Sequence, residues 1–148
     1  MSRFLLLLFL TTSLVFSCGE EDQADIDRDL ILGYIDNNNL QAEEDPSGLF
    51  YTIDTPGGEE KPQLTDSVEI SYRGTLLSGL QFDASPADTT VTFLLDDLIP
   101  VWEIGIPKYG RGGAGTLLIH SALGYGRQRV GPIPAYSVLI FDIEVIDF

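Results

Sequence analysis

The chain has 148 residues with 8 basic and 23 acidic side chains, which gives a formal net charge of −15 at pH 7. This length is typical of one domain with appendages, and a hydrophobic content of 44% indicates a packed core. The single cysteine excludes an internal disulfide framework, the single histidine excludes a multi-histidine metal centre, and the negative charge argues against a nucleic-acid partner.

The first 17 residues have the pattern of an export signal. Arg3 precedes an apolar stretch from residue 4 to residue 16, and these 13 positions are fewer than the roughly 20 that a membrane-spanning helix needs. We therefore expect residues 1–17 to be a signal peptide. The segment Val15–Cys18 resembles a bacterial lipobox, which implies lipidation of Cys18 and anchoring to a membrane. The alternative is an ordinary cleaved signal with an incidental cysteine.

Residues 18–47 are predicted to form a lipidated acidic tether with a short helix, and residues 48–148 a separate domain. Most of the charge lies near the tether, since residues 19–60 hold 13 acidic side chains and one basic side chain. The acidic run at residues 20–22 is either a solvated spacer or an export tag similar to those of surface lipoproteins in Bacteroidetes-like bacteria.

A helix is predicted from Asp25 to Asn37, because apolar residues recur there at helical spacing. These residues share one stripe of the helix: Ile26, Leu30, Ile31, Tyr34 and Ile35. We expect the stripe to dock on the domain, the alternative being an exposed helix that binds a partner. A turn at residues 45–48 then leads into a predicted strand at residues 49–53.

Beyond Pro62 the alternation of apolar and polar residues predicts antiparallel strands with one buried face. Val68, Ile70 and Tyr72 share the buried face of the first such strand. In the last strand the inward residues are Leu139, Phe141, Ile143 and Val145. Further strands are predicted at residues 91–95 and 116–119, and a short helix at residues 100–105, where proline suits the first turn. This pattern predicts an α+β fold in which the helix covers the apolar face of a mainly antiparallel sheet.

Six motifs in this region resemble, in order, those of the FKBP-type peptidyl-prolyl cis-trans isomerases, from about Pro62 to Phe148. The motifs are Val68–Gly74, Ser78–Ser85, Leu98–Gly105, Leu123–Gly126, Gly131–Pro134 and Val138–Glu144. The resemblance implies a twisted antiparallel sheet wrapped around one short α-helix, here with an N-terminal extension helix.

The resemblance also implies an activity, the isomerisation of X–Pro bonds in proline-containing polypeptides. Rotation about a peptide bond costs about 18–20 kcal/mol, because amide resonance is lost. An apolar, water-poor pocket would favour the less dipolar twisted amide over the planar one. This chemistry requires no nucleophile, metal or cofactor.

The positions that match the motifs give the implied site. Asp83, Ile99, Trp102 and Tyr125 are implied as catalytic. Trp102 would lie beneath the proline ring, the Ile99 N–H and the Tyr125 hydroxyl would donate hydrogen bonds, and Asp83 would act through its charge. The implied substrate-binding residues are Tyr72, Phe82, Val91, Phe93, Leu98, Ile133 and Phe141. For Phe93 the alternative is a purely structural place in the core.

Two functions follow as hypotheses. The first is an active isomerase that assists the folding of exported proteins and is tethered at the bacterial envelope. Its expected place is the outer membrane, on the periplasmic face or the cell surface. The second is a weakly active or inactive module that binds peptides or supports an assembly. A macrolide of the FK506 type is a further candidate ligand of the pocket.

Overall fold

The computed structural model describes residues 20–148, with side chains from residue 23 onward. The predicted signal peptide and the lipidation site Cys18 lie outside this range. Within the described part of the chain, no helix is both long and apolar enough to cross a membrane.

Seven strands form one antiparallel sheet, and the longest of them pairs with three others. The strands are β1 (Ala42–Glu44), β2 (Phe50–Thr52), β3 (Ser67–Leu76), β4 (Gln81–Ala84), β5 (Val91–Leu94), β6 (Gly113–Ile119) and β7 (Leu139–Asp147). Their order is β1-β2-β6-β7-β3-β4, and β5 pairs with β3 beside β4. The helices are α1 (Glu20–Asn37) and α2 (Pro100–Gly105). The predicted α+β fold is confirmed.

One face of the sheet packs on α2 and forms the main core. The predicted alternation holds in β3 and β7, because Val68, Ile70 and the inward residues of β7 are buried in this core. Helix α2 has the predicted bounds, and its last residue lies against β6. A Cβ atom on Gly105 would come within 2.5 Å of a methyl carbon of Leu117, so glycine at this position lets helix and sheet approach closely.

The opposite face of the sheet is covered at one end by α1. Ile31 of the helix packs there with Phe50, Leu118 and Ile140, and all four are buried. These three strand residues are register neighbours, since Leu118 pairs with both Phe50 and Ile140. The continuous apolar run in β6 therefore reflects a strand that is buried on both faces.

The N-terminal helix begins earlier than predicted and presents a different face. Ile31 is fully buried, and Tyr34 and Ile35 pack beside it, as expected for docking. Ile26 and Leu30 are instead 52% and 46% exposed, whereas the carboxylate residue Asp27 is fully buried. The first turns of α1 lie over the turn at Ser121–Leu123, where the buried Asp27 carboxylate accepts a backbone N–H and is thereby compensated for its burial.

Strand β1 lies in the segment assigned to the tether and is hydrogen-bonded into the sheet. It pairs with β2, and the Tyr51 hydroxyl donates to the Glu43 carboxylate over 2.8 Å. Arg28 of α1 reaches Glu44 through an exposed ion pair of 2.7 Å. The domain division before residue 48 stays a prediction.

The turn before β2 is held by an ion pair whose effect on stability should depend on pH. The Lys108 ammonium donates to the Asp45 carboxylate and, together with the Ser47 bonds, lowers the pKa of Asp45 to about 2. Because the pKa is lower in the folded state, the stabilisation is present above about pH 4 and is lost as the pH falls towards 2. Asp45→Asn should lower the free energy of unfolding at pH 6 by about 1 kcal/mol.

Urea denaturation of both proteins at pH 6 and at pH 2.5 checks this expectation. The gap between Asp45→Asn and the parent chain should narrow at the lower pH. A gap that is the same at both pH values would contradict the assigned role of the carboxylate.

Candidate active site

A cavity of about 250 Å³ opens between β3, β7 and α2. Most of its lining is aromatic or aliphatic, with one carboxylate at the edge. The lining residues are Tyr72, Asp83, Phe93, Leu98, Ile99, Trp102, Tyr125 and Phe141. The structure thus brings together residues from six separate parts of the chain, including all four of the implied catalytic residues.

Trp102 forms the enclosed wall of this cavity. It lies on the inner side of α2 and is only 5% exposed. The rings of Tyr72 and Phe141 meet it edge to face, with centroid distances of 5.0 Å and 5.1 Å. Its buried Nε1–H has no hydrogen-bond partner among the described residues. A buried donor without a partner is energetically costly, so this indole N–H is an unsatisfied polar group next to the cavity.

A glycine in β3 makes room for the aromatic wall. Gly74 pairs with Asp83 on one side and Phe141 on the other. A Cβ atom at Gly74 would approach ring carbons of Phe82 and Phe141 within 2.7 Å and 2.8 Å. Those two rings pack edge to face at 5.4 Å, so Phe82 supports Phe141 from behind.

The rim carries a polar pair. The Tyr72 hydroxyl donates to one carboxylate oxygen of Asp83 over 3.0 Å, and the Ala84 N–H donates to the other over 2.9 Å. Burial and then the bond to Asp83 raise the pKa of Tyr72 to about 12. The hydroxyl therefore stays protonated at neutral pH and holds the carboxylate in one orientation.

Two loops supply the remaining polar groups of the cavity. Ile99 is the residue that caps the N-terminus of α2, with extended backbone angles of −62° and 142°. Its backbone N–H lies before the first intrahelical hydrogen bond, so the helix itself does not use this donor. Tyr125 is half-buried on the turn that follows β6 and lines the same cavity.

Three predicted substrate-binding residues do not line the cavity. Phe82 lies behind Phe141, Val91 is half-buried on β5 opposite Ile70, and Ile133 is a core residue that is 4% exposed. Sequence motifs mark the neighbours of a pocket as well as its surface, and Phe82 and Ile133 belong to the core packing around the cavity. Phe93 both packs on the core and reaches the cavity. The functional roles of all these residues stay predictions.

The sequence-based prediction missed one buried polar contact near the site. Asp27 accepts a hydrogen bond from the backbone N–H of Ser121 over 2.7 Å, in the loop that leads to Tyr125. The only signal was the place of Asp27 one helical turn before Ile31, and the neighbouring charged residues Asp25, Arg28 and Asp29 gave no reason to single it out.

Comparison with known proteins agrees with this architecture. A family model described as FKBP-type peptidyl-prolyl cis-trans isomerase matches residues 58–146. The isomerase FkpA of Buchnera aphidicola subsp. Schizaphis graminum is 42% identical over 103 residues, which cover 68% of this chain and 41% of the relative. FkpA of Escherichia coli K12 is 38% identical over 102 residues, covering 68% of this chain and 38% of the relative.

Solved structures show the same likeness. The crystal structure of FkpA from Escherichia coli covers 86% of this chain and 61% of its own chain, with a TM-score of 0.74 and 33% identity. A peptidyl-prolyl cis-trans isomerase from Pseudomonas syringae pv. tomato covers 87% of this chain and 95% of its own, with a TM-score of 0.74 and 29% identity. The chain spans about two fifths of the length of the curated relatives it matches. Since the family model matches most of the chain, the protein belongs to the FKBP-type peptidyl-prolyl cis-trans isomerase family.

Proposed function

We propose that the chain catalyses cis–trans isomerisation of X–Pro bonds in exported polypeptides. The observation that carries this proposal is the aromatic cavity whose enclosed wall is Trp102 and whose rim holds the Tyr72–Asp83 pair. Family membership supports the same reaction. The spontaneous exchange of X–Pro isomers takes tens to hundreds of seconds, so a modest lowering of the barrier is useful to a folding chain.

In this proposal the proline ring packs against Trp102 between the rings of Tyr72 and Phe141. The planar amide is more dipolar than the twisted one, so the apolar cavity disfavours the ground state more than the transition state. Hydrogen bonds from the Ile99 N–H and the Tyr125 hydroxyl hold the flanking carbonyl groups. Each 1.36 kcal/mol of selective stabilisation gives about a tenfold rate increase.

We also propose that the protein acts at the bacterial cell envelope. The apolar leader and the lipobox-like segment support lipidation of Cys18 and anchoring at the outer membrane, on its periplasmic face or the cell surface. Mass spectrometry of the mature protein tests this placement. A diacylated or triacylated Cys18 at the new N-terminus is expected, and an unmodified N-terminus after residue 17 would contradict it.

A macrolide of the FK506 type is proposed as a second ligand of the same cavity, because its binding would need the same apolar walls. Trp102 is the only tryptophan in the chain, so its fluorescence reports occupancy directly. A change of this fluorescence on titration, with loss of peptide isomerisation in parallel, is expected. Inhibition without any fluorescence change would contradict binding at this site.

A protease-coupled isomerisation assay on the chain from residue 19 tests the proposed activity, with X-Pro-Phe peptides that differ in X. Tyr125→Phe should lower kcat/KM by about fivefold to tenfold, because it removes one substrate hydrogen bond. Tyr34→Phe on α1 is the matched control and should have no effect. A folded chain that accelerates none of the peptides would favour the alternative of a peptide-binding or assembly module.

A further inference from the structure

The buried face of α1 contains one carboxylate, that of Asp27, in the described part of the helix. One of its carboxylate oxygens accepts the Ser121 N–H over 2.7 Å, and the other accepts the Gln23 side-chain amide over 2.7 Å. Burying a carboxylate is costly unless hydrogen bonds compensate. These two hydrogen bonds keep the Asp27 side chain buried. Through the Ser121 N–H the carboxylate holds the loop after β6 in place, and it makes no such bond to a strand of the sheet.

Ser121 is the pivot of the turn that carries Tyr125. Its carbonyl oxygen accepts the N–H groups of Gly124 and Gly126 over 3.0 Å and 2.8 Å. Those two residues bracket Tyr125 in the chain. Ser121 is only 2% exposed, so its N–H has little access to water. The position of the turn therefore depends on the hydrogen bond that the Ser121 N–H donates to Asp27.

The C-terminal end of the same turn is also held by a backbone hydrogen bond. The Tyr136 N–H donates to the Gly126 carbonyl over 2.7 Å. Tyr136 adopts this place with a φ of +58°, which is strained for a bulky side chain. The turn is thus clamped from two sides, by Tyr136 from the following loop and by Asp27 from the N-terminal helix.

We propose that Asp27 is a positioning residue for X–Pro isomerisation, because it fixes through Ser121 the turn that places Tyr125 in the cavity. Helix α1 then contributes to catalysis by positioning Tyr125 and is not only a spacer. This inference rests on the proposed function and deepens it. It predicts that a change on α1, which does not line the cavity, alters catalysis through one named hydroxyl.

The experiment uses the full-length chain purified in detergent, with kcat/KM measured on one X-Pro-Phe peptide. Asp27→Ala should lower kcat/KM by about fivefold. Asp27→Asn should stay within about twofold of the parent, because its amide oxygen can still accept the Ser121 N–H. Asp29→Ala, an exposed acid on the same helix, is the control for charge and helix propensity and should have no effect.

A double-mutant cycle shows whether the effect passes through Tyr125. In a Tyr125→Phe background, Asp27→Ala should cause less than about a twofold further loss. A purely structural role for Asp27 would give the same fold loss in both backgrounds, and that additive result would overturn the inference. Equal losses in Asp27→Ala and Asp27→Asn would overturn it as well.

Amide hydrogen exchange reports the turn independently of activity. Exchange at Gly124 and Gly126 should be about tenfold faster in Asp27→Ala and unchanged in Asp27→Asn, with the β7 amides unaffected. If the parent chain has no activity, the proposed function fails and this role fails with it. If the parent is active and Asp27→Ala changes neither kcat/KM nor the exchange of these glycines, the inference alone fails.

Discussion

Asp83→Ala is expected to lower kcat/KM for X–Pro isomerisation by about tenfold to a hundredfold. The Asp83 carboxylate lies at the cavity rim, where the Tyr72 hydroxyl and the Ala84 N–H fix its two oxygens. Its charge is therefore held in one place before substrate arrives, which is the arrangement that stabilises a transition state most effectively. Removing it also frees the Tyr72 hydroxyl from its partner.

Two variants separate these effects. Asp83→Asn keeps a hydrogen-bond acceptor for Tyr72 and removes the charge, so a loss similar to that of alanine assigns the effect to electrostatics. Asp36→Ala removes an exposed acid from α1 and is the control for net charge. The assay is the same peptide isomerisation, with the fold checked by circular dichroism. If Asp83→Ala retains parental kcat/KM, the proposed role of this carboxylate is wrong.

Gly115→Ala should lower the free energy of unfolding by about 3 kcal/mol or more. A Cβ atom there would lie 2.1 Å from the Thr52 carbonyl oxygen and 2.9 Å from the Tyr109 hydroxyl oxygen. Those two atoms form a buried hydrogen bond of 3.0 Å, and the Thr52 hydroxyl accepts the Thr116 N–H over 2.9 Å. The methyl group would therefore force apart the junction of β2 and β6.

Gly33→Ala is the matched control, because its Cβ atom would meet nothing within 4 Å on the exposed side of α1. It should raise the free energy of unfolding by about 0.5–1 kcal/mol, since alanine is the better helix former. Urea denaturation followed by Trp102 fluorescence measures both variants. A Gly115→Ala protein as stable as the parent would mean that the β2–β6 junction is less tightly packed than the structure shows.

Much of the fold could be predicted because its signals are local. The alternation in β3 and β7 depends only on which residues face the core, and Pro100 marks the start of α2. The short strands β1 and β4 have three and four residues and carry no such periodicity. Each pairs with a strand adjacent to it in the sequence, β1 with β2 and β4 with β3, but segments this short hold too few alternations for a local pattern to identify them.

The candidate site could likewise be predicted only in part from the sequence. The aromatic lining could be predicted from motif positions, because each motif fixes a side chain on a strand, a helix or a turn. The positions of Val91 and Ile133 outside the cavity lining could not be predicted. Small rotations of an edge strand or a loop decide whether such a side chain faces the cavity. The inward position of Asp27 was hidden for another reason, because helical periodicity assigns apolar residues to the buried face.

The most direct test of catalysis in this cavity is exchange spectroscopy by NMR on one X–Pro peptide, at equilibrium and without a coupling protease. Substoichiometric protein should speed the cis–trans exchange of the peptide, and the Asp83→Ala variant should lose most of this acceleration at equal peptide occupancy, as followed by Trp102 fluorescence. If the peptide occupies the cavity but its cis–trans exchange is no faster than in buffer, the proposed catalysis is contradicted and the alternative of a peptide-binding module is favoured.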